Sequence, residues 1–161
     1  MKPLFTLALV GLTALGVYWG SQWAASELTQ TADQGVVEMS LVEMNVAANC
    51  DLRSEACSAS SEAGQLNIHF VDGLSATQGS KVWLQLLNMG DDVAKVTMEL
   101  QGKTMFMGVN HYPLVQQADG WHGTLVIPVC TTQKMTWLLD VWLQHTDQSV
   151  QRARFEFEME H

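Results

Sequence analysis

Hydrophobic residues follow two rhythms along the chain. Leu4 to Ser26 carries no charged residue. A helix rising about 1.5 Å per residue needs about 20 such residues to cross a bilayer core. The first 25 residues are therefore expected to form a transmembrane helix, with residues 4–23 in contact with the membrane. Tyr18, Trp19 and Trp23 gather at its far end, where amphipathic rings favour the headgroup layer. Lys2 precedes the run and Glu27 follows it, the charge order of an N-in, C-out anchor. The alternative is a cleaved signal peptide, with Ala24 and Ser26 as the two small cleavage-site residues. Either arrangement exports residues 27–161.

From Gln65 onward the rhythm has period two, the pattern of half-buried strands. Leu66, Ile68 and Phe70 alternate with Asn67 and His69, and Asp72-Gly73 ends the run. Lys81 to Leu87 forms a second apolar run. Val96, Met98 and Leu100 share a face, followed by Gln101-Gly102. Thr104 to Val109 and Tyr112 to Gln117 are shorter runs, and Pro113 marks an edge or a bend in the second. Trp121, Gly123, Leu125 and Ile127 share a face after the Asp119-Gly120 turn, and residues 128–133 form a corner. Met135, Trp137, Leu139, Val141 and Leu143 form the next inner face. Ala153, Phe155, Phe157 and Met159 then alternate with Arg152, Arg154, Glu156 and Glu158.

About seven short strands separated by turns, without an amphipathic helix, predict an all-β fold. The expected class is an immunoglobulin-like antiparallel β-sandwich over residues 65–161. Residues 26–64, rich in Thr, Ser, Ala, Gln and Glu, are expected to be a tether. Within it, the mildly apolar stretch from Val36 to Val46 suits either a helix on the membrane surface or an early edge strand, and residues 58–64 suit a flexible loop.

Composition agrees with this layout. The chain has 161 residues and is 47% hydrophobic, enough for one domain with an appendage and too apolar for a disordered chain. Its formal net charge of −9 disfavours binding to nucleic-acid phosphates.

Candidate chemistry is sparse. Cys50, Cys57 and Cys130 lie in the exported part, where an oxidising compartment favours a disulfide. Three pairings are open, with the long-range ones involving Cys130 favoured because a longer loop removes more unfolded-state entropy. No CxxC supports a thioredoxin-type exchange site.

The segment Met105-Phe106-Met107-Gly108-Val109-Asn110-His111 is the most distinctive. On a strand Met105 and Met107 would point the same way. Two thioethers with the His111 imidazole, and Cys130 as a further donor, suit Cu(I). The competing explanation is core filling by flexible methionines.

The remaining histidines show no zinc-hydrolase spacing, and GxSxG, P-loop and GxGxxG motifs are absent. No enzyme activity is expected. Asp91-Asp92 suits a turn, and Asp140 suits a solvated position on an outer face.

Several short motifs occur in a characteristic order: Cys-Asp-Leu-x4-Cys at 50–57, Met-x-Met-Gly-x-Asn at 105–110, Asp-Gly-Trp-x-Gly at 119–123, Pro-Val-Cys at 128–130 and Met-x-Trp at 135–137. Over residues 50–145 the chain resembles a group of small periplasmic proteins of Gram-negative bacteria with a single N-terminal anchor. More distantly it resembles the FixH and YtkA-like families. The resemblance implies copper handling or cytochrome oxidase assembly and no established reaction. Carried over by position, it implies roles for Met105, Met107, Asn110 and Cys130. His111 stands here where a basic residue such as arginine is expected.

The expected function is that of a non-enzymatic accessory protein of the bacterial inner membrane, with its C-terminal domain in the periplasm and a protein partner in a membrane complex. The rival expectation is a metal-free interaction module.

Overall fold

A computed structural model describes residues 40–76, 78–128 and 134–160. The expected membrane segment and Cys130 lie outside the described residues. Eleven strands follow one another without a helix among the described residues. They are β1 (Leu41–Glu43), β2 (Asn45–Val46), β3 (Cys57–Ser61), β4 (Gly64–Phe70), β5 (Ser80–Leu87), β6 (Val93–Gly102), β7 (Val109–Pro113), β8 (Val115–Gln117), β9 (Gly120–Leu125), β10 (Lys134–His145) and β11 (Val150–Glu160).

They form two sheets, ordered β1-β11-β10-β6-β7 and β2-β3-β4-β5-β9-β8. Every pairing is antiparallel except β1 on β11. The chain therefore changes sheets between β1 and β2, between β5 and β6, between β7 and β8, and between β9 and β10.

Alternation decides which side chains lie between the sheets. β10 turns Met135, Trp137, Leu139, Val141 and Leu143 inward, and each is at most 1% exposed. β11 turns in Ala153, Phe155, Phe157 and Met159, β6 turns in Val96, Met98 and Leu100, and β4 with β5 face them with Leu66, Ile68, Phe70, Val82 and Leu84. Fully burying a side chain of the Val, Leu or Phe kind contributes about 1.5–3 kcal/mol, so this shared layer is the main stabilising feature.

Tyr112 adds a polar tie. It lies on β7 of the first sheet, and its hydroxyl donates to the Val126 carbonyl, just beyond β9 of the second, at 2.6 Å.

Four expectations are corrected. The sandwich begins near Ser40 rather than Gln65, because β1, β2 and β3 all lie in the stretch expected to be a tether. β1 and β2 fall within the mildly apolar Val36–Val46 stretch, matching its edge-strand alternative, whereas the inward residues of β3, Cys57 and Ala59, are too small and isolated to form an apolar run. Residues 58–61, expected in a flexible loop, belong to β3. The Tyr112–Gln117 run is two strands: Leu114 is buried between them, and β7 and β8 belong to different sheets. The expected apolar run from Thr104 to Val109 is not a strand of its own: residues 103–108 connect β6 to β7 outside any strand, and Val109 begins β7.

Chain direction places the turns at 62–63, 88–92, 118–119 and 146–149 at one end of the sandwich. The described chain enters there, and Val150 N donates to the Ser40 carbonyl at 3.1 Å. Residues 103–108 and the Cys50–Cys57 loop lie at the opposite end.

Candidate functional site

The methionine segment is held by its first residue. Lys103 N donates to the Thr136 carbonyl at 2.9 Å, and Lys103 Nζ donates to both Glu156 carboxylate oxygens at 2.7 and 2.6 Å. These contacts fold the connection back over the start of β10. Gly102 permits the fold, because a Cβ there would overlap the Met135 methyl group and the Met105 carbonyl oxygen. Gly108, at φ +82°, supplies the left-handed turn into β7.

The result is a loop with mixed exposure. Phe106 is 77% exposed and Met105 47% exposed, while Met107 is half-buried against the core. At the same end of the sandwich, Met135 and Met159 are cross-strand partners on the inner face, and both are buried. Four thioethers thus belong to one end of the sandwich: two in the loop and two at the ends of β10 and β11. Sequence reasoning singled out Met105 and Met107 and treated Met135 and Met159 as core residues only. The signal for the second pair was register, which a linear pattern does not contain.

A strand would have pointed Met105 and Met107 alike. The loop instead turns one to solvent and one to the core. A neutral thioether is a soft donor that rests comfortably in an apolar setting.

The imidazole of His111 is held elsewhere, on the outer face of β7. Its Nδ1 lies 3.0 Å from Glu99 Oε1 on β6, its register partner, leaving Nε2 free. Asn110, beside it, points the other way and donates from Nδ2 to the Leu100 carbonyl at 3.5 Å. Among the described residues, no group of three or more His, Cys, Asp or Glu side chains is placed to hold a metal ion.

His111 and Glu99 border an open groove of about 650 Å³, floored by Trp142, Pro113 and Val150. Arg152 lies 5.2 Å over the Trp142 ring and pairs with Glu43 at 3.1 Å.

The row continues past Glu99 to Asp140, its register partner on β10, and then to Arg154 on β11. Asp140 does lie on an outer face, but it is only 2% exposed. Its oxygens accept from Arg154 Nε at 2.6 Å and Nη2 at 2.7 Å. These hydrogen bonds raise the guanidinium's proton affinity above its already high ordinary value. The expectation of a solvated acid failed because neighbouring side chains cover the sheet surface there.

The cysteine expectation is also corrected. Cys50 and Cys57 form the disulfide, with Cα atoms 5.2 Å apart. β2 and β3 are antiparallel neighbours, and Ala47 N donates to the Ser58 carbonyl at 3.0 Å, so the intervening loop returns the second cysteine to the first. Leu52, 2% exposed, anchors that loop in the core. Loop-closure entropy favours a longer bridge only when geometry leaves both open.

Comparison with protein-family models, with curated proteins and with solved structures finds no match.

Proposed function

We propose that this chain is a non-enzymatic accessory protein of the bacterial inner membrane, anchored through residues 4–23 with its sandwich in the periplasm. Its role is to handle Cu(I) or to assist assembly of a membrane complex such as cytochrome oxidase. The observation supporting this reading is that the loop carrying Met105 and Met107 lies at the end of the sandwich where Met135 and Met159 are paired, with the Met135 methyl and the Met105 backbone both beside Gly102. Met105 is accessible enough to meet an incoming ion, and the thioethers behind it need no deprotonation to bind one.

His111, the further donor expected from the sequence, faces outward from β7 beside Glu99 and is not part of this thioether group. The motif resemblance over residues 50–145 to small single-anchor periplasmic proteins, and more distantly to the FixH and YtkA-like families, supports the same assignment. Sheet order supports an immunoglobulin-like sandwich: β4-β5-β9-β8 follows the A-B-E-D order and β11-β10-β6 the G-F-C order.

The test is Cu(I) titration of the full chain under reducing conditions. Met105→Leu with Met107→Leu roughly conserves volume and keeps the fold. It is expected to weaken Cu(I) binding at least tenfold, or about 1.4 kcal/mol. A folded double variant that binds Cu(I) like the parent removes the metal role. The exposure of Phe106 and Met105 would then favour the second reading, a metal-free module that docks on a partner through this apolar tip.

A further inference from the structure

The two solvent-facing surfaces of the sandwich differ in chemistry. Outward positions of β10 and β11 carry Lys134, Asp140, Arg152, Arg154, Glu156, Glu158 and Glu160. On the opposite sheet, Lys81 is the one Lys, Arg, Asp or Glu at the outward positions of β4, β5, β8 and β9. In a chain of net charge −9, this face is occupied mostly by amides, hydroxyls and rings, with the exposed aliphatic residues Leu87 and Val115 toward one end.

A row of three rings crosses its middle. Register pairs His69 with Trp83 and Trp83 with His122. The Trp83 and His122 ring centroids are 6.4 Å apart, and the planes are 21° from parallel. One turn fixes both rings. Trp83 Nε1 donates to the Asp119 carbonyl at 3.0 Å, and His122 Nε2 lies 2.9 Å from Asp119 Oδ1. That hydrogen bond is the main reason the Asp119 carboxyl is held below the usual carboxylate range. Gly120 makes room for the indole, since a Cβ there would come within 2.8 Å of Trp83 Nε1 and 3.3 Å of Cδ1. Asn67 and Gln85 flank the row at neighbouring outward positions, with Gln65 Nε2 donating to Asn67 Oδ1 at 2.9 Å.

We propose that this face binds a neutral carbohydrate chain, with a pyranose lying on the Trp83 indole. The C–H face of a sugar ring is an apolar surface that matches an aromatic plane. Its hydroxyls both donate and accept, as do the amides and imidazoles around the indole. Charge on the face is limited to Lys81 and, at its edge, the Asp119 carboxylate beside His122, and this sparseness decides the class of ligand. Phosphates, acidic peptides and anionic lipid headgroups depend on clustered counter-charges that this surface lacks. An apolar peptide needs a wider apolar area than one ring row supplies. Because the Asp119-Gly120 turn orients both rings in advance, little rotamer freedom remains to be lost on binding. The site is separate from the methionine loop, and its test is independent of Cu(I).

The experiment is NMR titration of the full chain in a detergent without a sugar headgroup, following the Trp83 indole N–H. The probes are maltohexaose, cellohexaose and chitohexaose, with oligogalacturonate as an acidic control. At least one neutral probe is expected to bind at millimolar concentration or below and to shift the Trp83 signal. Trp83→Ala should weaken that binding at least tenfold by calorimetry, and Gly120→Ala should weaken it by displacing the indole. If either variant fails to fold, Gln85→Ala, on the exposed face, serves with an expected several-fold loss. Lack of binding by all three neutral probes overturns the proposal. So does binding that survives Trp83→Ala unchanged, or acidic oligosaccharide binding as tight as neutral.

Discussion

Arg154→Leu is expected to cost more stability than Asp140→Asn, although arginine is the more exposed partner. Asp140 is 2% exposed and accepts two short hydrogen bonds from Arg154. On its other side the register partner is Glu99, a second acid. Removing the guanidinium leaves a carboxylate shut away from water beside a like charge. Deleting one member of a buried pair costs about 3–5 kcal/mol. The Arg154 side chain is 41% exposed, so water enters the vacated space and the expected loss falls to about 2–3 kcal/mol. Asp140→Asn retains an acceptor oxygen and relieves the opposition to Glu99, so about 1 kcal/mol is expected. The double variant should be more stable than the sum of the single losses implies, with a coupling of at least about 1 kcal/mol. Urea unfolding of the full chain in detergent, followed by tryptophan fluorescence, measures all four corners of the cycle. An Asp140→Asn loss equal to or larger than that of Arg154→Leu, or strict additivity, would refute the buried-pair reasoning.

Replacing Cys50 and Cys57 together by Ser should lower stability by about 2 kcal/mol, the loop-entropy value for so short a bridge. Denaturation of this variant against reduced parent protein checks it, since the two should coincide. Tyr112 has its ionisation raised by burial, against the opposing effect of its hydrogen bond to Val126. Its contribution is therefore fully present below the unfolded tyrosine value of about 10 and is lost as pH rises through the higher folded value. Unfolding midpoints measured against pH should fall in that alkaline window, and Tyr112→Phe should flatten the fall.

The strands that alternation could reveal were those with one face buried and the other charged. β11 is the clearest case, because Phe155 and Phe157 are separated by Arg154, Glu156 and Glu158, and only one register buries the apolar set. The same reasoning located the inner faces of β4, β6, β9 and β10. It failed at β3, where Ala59 is too small to register as hydrophobic, and at residues 103–108, where apolar residues form a loop. The methionine segment was legible as unusual chemistry. Its division into one exposed and one core-facing thioether was not, because Gly102 and the Lys103–Glu156 contact set the loop's path from outside the segment.

Period, charge order and composition were sufficient to specify an all-β domain, its inner faces and its turns, because a strand's two faces are written in adjacent residues. Pairing is not written there. The neighbours of β1, the choice of Cys57 for Cys50, the placing of Met159 beside Met135 and the alignment of His69, Trp83 and His122 all depend on residues far apart in the chain. Those contacts exist only once two sheets have closed on one core, and the requirement to bury both inner faces together selects among partners that a local sequence leaves equivalent.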